Sequence, residues 1–163
     1  MEAHKLPADL KFNLILIAPA CTFRLLADTL KAAGNRVAAL RVFGMDDERE
    51  RKNALLEKLP LLYPSSLLYF VSGIVEDESD MPLAGMARFW SGVYASGKFP
   101  EIDYVHSFTL FKPKSSLIWA LAAGSDGLSC DMSTHGGWAQ APATLKSVQY
   151  ILSKGYDAAA AAG

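Results

Sequence analysis

Residues 13–34 of the chain read NLILIAPACTFRLLADTLKAAG, and this stretch decides the fold class. Residues 14–18 form a continuous apolar run, which is typical of a strand buried on both faces of a parallel sheet. Pro19 ends the strand, since proline has no N–H to donate to a neighbouring strand. Thr22 is a helix-capping residue, and the apolar residues after it recur at three- and four-residue spacing up to a terminating Gly34. The stretch therefore predicts a strand, a tight loop and an amphipathic helix.

Two further strand–helix units follow the opening one. Strands are predicted at residues 36–43 and 66–75, and the second is apolar throughout, which favours a central place in the sheet. Helices are predicted at residues 46–59 and 82–96, because the first opens with acidic residues and the second with a proline. This alternation favours right-handed crossovers into a parallel sheet with helices on both faces.

The last third of the chain changes character. Residues 104–111 and 116–122 have the composition of strands, and a short proline-containing link joins them, as in a hairpin or a tight corner. Residues 128–132 are a candidate for a further short strand, and residues 142–155 form a helix bounded by a proline and a glycine. The predicted apolar face of that helix consists of Leu145, Val148, Ile151 and Leu152.

These elements predict an α/β fold. We expect a three-layer αβα sandwich, Rossmann-like or flavodoxin-like, with a parallel first half and antiparallel edge strands in the second half. No repeat or linker divides the chain, so residues 1–163 are predicted to form one domain. Residues 1–11 form a polar lead-in to that domain, and residues 157–163 form an alanine-rich tail.

The composition is that of a chain able to bury a core. Of its 163 residues, 51% are hydrophobic and 20% are charged, which excludes disorder on compositional grounds. Lys and Arg total 16 and Asp and Glu total 17, so the charge balance predicts no nucleic-acid partner. No apolar run approaches the roughly 20 residues that span a bilayer, so no membrane span is expected.

The small number of cysteines indicates the redox state of the cellular compartment. Cys21 and Cys130 are too few for a disulfide scaffold; they either pair or stay reduced, and a reduced intracellular setting is the simpler interpretation. Residues 1–12 contain no signal-peptide core. We therefore expect a soluble intracellular protein, in the cytoplasm or an organelle matrix.

Ligands of open α/β sheets bind beyond the carboxyl ends of the strands. This rule selects four loops, at residues 19–22, 43–47, 73–80 and 133–138. No glycine-rich nucleotide fingerprint and no spaced set of metal ligands occurs, so we expect neither a cofactor nor a bound metal. If the chain is an enzyme, the catalytic candidates in these loops are Cys21, Asp46, Glu76, Asp77 and His135.

Each candidate has a chemical and a purely structural interpretation. Cys21 precedes a helix N-terminus, which lowers a thiol pKa, and His135 is the only histidine in a loop suited to act as its base. The alternative is a small, partly buried cysteine beside a helix cap. Glu76 and Asp77 are either a general base or Mg²⁺ ligands, or part of a solvated acidic turn that caps the next helix.

Two short segments resemble known families. Residues 134–138, THGGW, resemble the oxyanion-hole loop of esterases and lipases, but the G-x-S-x-G nucleophile elbow of that family is absent from the chain. The order of strand LLYFVSGI, acidic loop EDESDMP and helix AGMARFWSGVYASGK is similar to the central part of nucleoside 2-deoxyribosyltransferase-like proteins. In that family the helix carries a catalytic Glu, whereas residues 84–87 here are Ala-Gly-Met-Ala. The resemblance therefore implies a fold rather than an activity.

The sequence leaves open whether the chain is an enzyme. No catalytic motif is complete, and the loops at the carboxyl ends of the strands carry generic residues. We expect a non-catalytic accessory or interaction subunit of a larger protein assembly, with other protein subunits as partners. The alternative is a small-molecule enzyme, a hydrolase or a nucleoside-processing transferase, that uses those loops.

Overall fold

The architecture is built on a parallel sheet, seen in a computed structural model. The structure describes residues 7, 9–52, 81–91, 97–112, 114–134 and 137–156. The predicted strand at residues 66–75 lies outside the described residues, as do most of the lead-in, the alanine-rich tail and three catalytic candidates. Those candidates are Glu76, Asp77 and His135.

Three strands form the described sheet, in the order β1 (Phe12–Ile17), β2 (Val37–Met45), β3 (Ser116–Ala120). Both pairings are parallel, and Phe43 of β2 is paired with Ile17 on one side and Ile118 on the other. The middle strand β2 is buried along almost its whole length, whereas β1 is mostly half-buried. Within the described sheet, the most deeply buried strand is therefore β2 and not the opening strand.

The first helix confirms the interpretation of the opening stretch. Helix α1 (Phe23–Ala33) begins after Thr22, whose hydroxyl accepts a hydrogen bond from the Leu25 amide at 3.1 Å. It ends at Gly34, whose φ of 56° is a left-handed value that favours glycine. The buried face of α1 consists of Phe23, Leu26, Ala27, Leu30 and Ala33.

Three more α-helices follow along the described chain. They are α2 (Asp47–Lys52), α3 (Pro100–Phe111) and α4 (Pro142–Lys154). The predicted start of α2 is confirmed, and the predicted remainder of that helix lies outside the described residues. Short 3₁₀ helices occur at Gly34–Arg36, Ala87–Trp90 and Gly137–Gln140.

Apolar side chains lie in two cores on opposite faces of the sheet, because successive strand residues point to opposite sides. The first core joins α1, α3 and residues 83–89 to one face, and includes Leu40 and Val42 of β2. The second core packs Ile151 of α4 against the other face, where it includes Phe43 of β2. Helices thus cover both faces of the described sheet, which confirms an α/β fold.

The helix α3 corrects the prediction of a strand at residues 104–111. Pro100 stands in its first turn, and Glu101 and Asp103 follow, where acidic side chains suit the helix dipole. Ile102 and Val105, three residues apart, are its buried side chains. The strand prediction was wrong because it weighted β-branched and aromatic composition above these helix-start signals.

The orientation of β3 corrects the prediction of antiparallel edge strands. The strand itself is confirmed at Ser116–Ala120, but it runs parallel to β2. Because the preceding segment is a helix, β3 has no hairpin partner there, and the chain crosses over the sheet through α3 before it. Within the described residues, antiparallel pairing of this region is limited to one bridge between Ala122 and Cys130.

The described part of the predicted helix at residues 82–96 is not an α-helix. Pro82 accepts a hydrogen bond from the Phe23 amide through its carbonyl, and the Ala84 amide donates to the Cys21 carbonyl at 2.8 Å. These bonds, with a bridge between Thr22 and Leu83, tie the segment to the chain before α1. Because the Pro82 carbonyl and the Ala84 amide are engaged in these bonds, they do not form the hydrogen bonds of an α-helix. The helical structure of the described segment is the 3₁₀ helix at Ala87–Trp90.

The last helix has the predicted bounds, and its predicted apolar face is confirmed in part, because Ile151 is buried and Val148 packs against the second core. Its buried residues are Thr144, Ser147 and Ile151, while Leu152 is 76% exposed. The two hydroxyls face inward because they have partners there: Ser147 bonds the backbone of Ser129, at 2.9 Å to both its amide and its carbonyl. Polar side chains with such partners are buried without an unsatisfied group.

Candidate functional site

The carboxyl ends of β1, β2 and β3 lie at one edge of the sheet, which we call the carboxyl edge. The chain leaves this edge at Ala18, Asp46 and Leu121. Ala18 has a φ of 43°, an unusual value for a residue with a side chain, and its amide donates to the Phe43 carbonyl at 2.8 Å. The segment that carries Cys21 is therefore held against the end of β2.

Cys21 is half-buried and packs against the first core. Burial raises the pKa of its thiol, and a hydrogen bond to its own backbone lowers it by less. A thiol with a raised pKa is protonated near neutral pH, although the residue precedes a helix as predicted. Its position is that of a packed side chain beside the helix cap.

Asp46 lies at the end of β2 and caps α2. One carboxylate oxygen accepts the Arg49 amide at 2.8 Å, and the other accepts the Arg49 guanidinium. The same guanidinium donates to the carbonyl of Ala120, the last residue of β3, at 3.3 Å. Asp46 and Arg49 together connect the ends of two strands, so the carboxylate is already engaged in a structural role.

Two of the catalytic candidates, Cys21 and Asp46, lie in the described part of the chain. Cys21 and Asp46 make no hydrogen bond to each other in the described part of the chain. The proposed partner of Cys21, His135, lies outside the described residues, and so do Glu76 and Asp77. Cys21 and Cys130 are both free thiols, with Cys21 on the first core and Cys130 in the second.

Two adjoining clefts lie beside the start of α4, and sequence reasoning missed both. The β3 cleft, of about 450 Å³, is lined by residues 121–124 and 129–131 and by Ala143. The α4 cleft, of about 490 Å³, lies between α4 and the turn at residues 126–129. Ser129 and Ala143 line both clefts. Their walls come from residues 121–131 and from α4, and the four loops selected from the sequence include neither segment.

Asp131 fixes the wall that the clefts share. Its carboxylate accepts hydrogen bonds from the amides of Ala143 and Thr144, at 3.1 and 3.0 Å, and from the Thr144 hydroxyl at 3.1 Å. Burial acts to raise its pKa, but these hydrogen bonds outweigh it and hold the pKa of the carboxyl below its ordinary value. Asp131 thus caps α4 from twelve residues upstream.

We expect Asp131→Ala to lower the free energy of unfolding by about 1–2 kcal/mol near neutral pH, because it removes a helix cap. The folded-state pKa is below the unfolded-state value of about 3.9, so this stabilisation is complete above that value and is lost as the pH falls through the folded-state pKa. Urea unfolding at pH 6 and at pH 2.5 measures the change. Asp28→Ala, at an exposed carboxylate of α1, is the control; an equal loss in both variants would contradict the capping role.

Two aromatic side chains pack against His106, which lies on α3 rather than on the predicted strand. Its ring stacks on Trp90 at 5.3 Å between centroids and meets Phe23 edge-on at 6.2 Å. Burial lowers its pKa, opposed in part by a hydrogen bond to the Phe89 backbone and by the charge of Asp103. The neutral ring is therefore a side chain packed against the first core.

The described residues contain no group of His, Cys, Asp and Glu that could hold a metal ion. None of the helices within the described ranges is long and apolar enough to cross a membrane. Comparison of the chain with protein-family models, curated proteins and solved structures finds no match.

Proposed function

We propose that the chain is a non-catalytic α/β accessory or interaction subunit of a larger protein assembly. The observation that carries this proposal is an adjacent pair of large apolar side chains, Leu110 and Phe111, each 82% exposed at the end of α3. Removing apolar surface from water is favourable by about 25 cal/mol per Å². A protein surface that covers both side chains would gain from that burial.

The state of the carboxyl edge supports the same proposal. Cys21 has a raised thiol pKa and packs on the first core, and Asp46 is paired with Arg49. An enzyme of the alternative class would need such side chains to be free and to converge on one point. The near-equal numbers of acidic and basic residues favour a protein partner over a nucleic acid.

The proposal includes the finer features of the fold and its setting. The packing of helices on both faces of a parallel sheet favours a three-layer αβα sandwich of the Rossmann or flavodoxin-like kind. The two free thiols favour a reducing intracellular compartment, where disulfides are rare.

The double variant Leu110→Lys/Phe111→Lys tests the proposed interaction surface. We expect the unmodified chain, purified from its native cells at physiological salt, to carry a protein partner in a fixed ratio. The double variant is expected to lose at least 90% of that partner, because each lysine places a charge in the apolar contact. Its own stability is expected to change by less than about 0.5 kcal/mol, since both positions are exposed and cations suit the end of a helix.

Ser107→Lys, which adds one lysine at an exposed position of the same helix, is the control and is expected to keep the partner. A native chain that purifies alone as a monomer would overturn the proposal. A double variant that keeps its partner at the native ratio would show that α3 is not the contact surface.

The β3 cleft favours a second candidate, an enzyme acting on a small molecule at the carboxyl edge. The cleft begins where β3 ends and carries the carboxylate of Asp131 among mainly apolar walls. Neither Cys21 nor Asp46 lines it. Turnover of an ester or nucleoside substrate that survives Leu110→Lys/Phe111→Lys would favour this candidate over the accessory subunit.

A further inference from the structure

The α4 cleft carries two charged side chains of opposite sign. Asp126 lines it from the turn at residues 126–129, and Lys146 lines it from α4. Neither forms an ion pair with the other, or with any further charged residue in the part of the chain that the structure describes. The carboxylate and the ammonium group are therefore both available to a ligand in this cleft.

The adjoining β3 cleft is mainly apolar. Leu121, Ala122 and Ala123 line it, and Leu121 is 67% exposed. The carboxylate of Asp131 also lines it, but three hydrogen bonds to the start of α4 already engage that group. The two clefts together thus present an apolar region beside a region that holds one positive and one negative charge.

Hydrogen bonds hold the walls of both clefts in place. The Ser147 hydroxyl bonds the amide and the carbonyl of Ser129, at 2.9 Å each, and so fixes the turn against α4. Two backbone hydrogen bonds, of 3.0 and 2.9 Å, join Ala122 to Cys130. The folded chain itself forms the clefts, so a ligand does not have to order their walls before it binds.

The charges and the apolar wall indicate which ligand fits. A zwitterion carries a carboxylate for Lys146 and an ammonium group for Asp126, and hydrogen bonds between charged groups are stronger than neutral ones. A ligand with a single charge would leave one of these two side chains without a partner. An apolar substituent beside the two charges would leave water by lying in the β3 cleft, which is favourable. An α-amino acid with an apolar side chain combines these features in one small molecule.

We propose that the two clefts form one binding site for a free α-amino acid with an apolar side chain. Lys146 binds its carboxylate, Asp126 binds its ammonium group, and its side chain lies against Leu121 in the β3 cleft. The helices α3 and α4 pack on opposite faces of the sheet. The site is therefore separate from the exposed pair Leu110 and Phe111, and it stands or falls independently of the proposed interaction surface.

Isothermal titration calorimetry of the whole chain with four related probes tests the site. L-Leucine carries both charges, leucinamide only the positive one and N-acetylleucine only the negative one, while glycine carries both charges without an apolar side chain. We expect L-leucine to bind saturably, with one molecule per chain. The other three probes are expected to bind at least about tenfold more weakly, because each lacks one of the three contacts.

Variants that remove one charge assign the two polar contacts. Lys146→Met is expected to weaken leucine binding about tenfold and to leave leucinamide binding unchanged, since leucinamide has no carboxylate. Asp126→Asn is expected to weaken leucine binding similarly and to leave N-acetylleucine binding unchanged, since that probe has no ammonium group. Lys154→Met, at an exposed lysine of α4 that lines neither cleft, is the control and is expected to bind leucine like the native chain.

Three results would overturn the proposal. They are the absence of saturable leucine binding, equal affinities for leucine, leucinamide and N-acetylleucine, and an unchanged leucine affinity in both Lys146→Met and Asp126→Asn. Both substituted positions are exposed, so the two variants are expected to fold. The double variant Leu110→Lys/Phe111→Lys is expected to bind leucine like the native chain, so loss of a protein partner and loss of leucine binding are separate results.

Discussion

The free energy of unfolding of the Phe23→Ala variant is expected to be about 3–5 kcal/mol lower than that of the native chain. Phe23 is completely buried at the first turn of α1, where its ring lies 4.9 Å from that of Trp90. Truncation removes the ring from the centre of the first core and leaves a cavity that α1 and α3 can close only in part. Urea unfolding followed by far-ultraviolet circular dichroism measures the difference.

Leu25→Ala is the matched control for this experiment. Leu25 lies on the same helix two residues further on, but it is 59% exposed, so its truncation is expected to change stability by less than about 0.5 kcal/mol. Comparable losses in the two variants would mean that the first core is not organised around Phe23.

Gly44→Ala is expected to destabilise the protein by about 1–3 kcal/mol through overpacking. Gly44 lies in β2, and a Cβ atom there would come within 2.6 Å of Cζ3 of Trp119 on β3. Such an approach requires the indole ring to move, and Cε3 of the same ring would lie 3.0 Å from the new Cβ atom. Because Trp119 also packs against Trp90, at 6.5 Å between ring centroids, its displacement extends into the first core.

A double-mutant cycle with Trp119→Leu isolates the contact. The smaller side chain makes room for the new methyl group, so Gly44→Ala is expected to cost at least 1 kcal/mol less in the Trp119→Leu background than in the native one. Additive effects in urea unfolding would show that the penalty arises elsewhere in the strand.

The predicted elements that proved correct are those whose signals agree locally. In α1 the capping hydroxyl of Thr22, the apolar spacing and the glycine at position 34 all lie within thirteen residues, and each forms the contact that its chemistry favours. In α3 the local signals conflict: Tyr104, Val105 and Phe108 suit a strand, whereas Pro100 and Glu101 suit a helix start. Packing of Ile102 and Val105 into the first core agrees with the helix.

The sequence predicted the positions of two candidate residues at the ends of strands, but not the surroundings of their side chains. The rule for carboxyl ends of strands correctly placed Cys21 and Asp46 at one edge of the sheet. The raised pKa of the Cys21 thiol depends on burial against the first core, which no neighbour in the sequence signals. The Asp46–Arg49 pair spans only three residues and was readable as helix capping, but its link to Ala120 was not.

The sequence by itself determined the α/β class, the three described strands and the helices at Thr22 and Pro142, because local apolar patterns and helix-boundary residues signal these elements. The tertiary structure alone decided the parallel direction of β3, the two clefts and the surroundings of the buried Arg41 of β2. Arg41 and Gly127, whose carbonyl accepts a hydrogen bond from its guanidinium, are 86 residues apart, and a buried arginine in a strand pattern carries no local mark of what faces it. Burial and hydrogen-bond partners are properties of the packed chain, so chemistry that depends on them appears only once the sheet and its helices have come together.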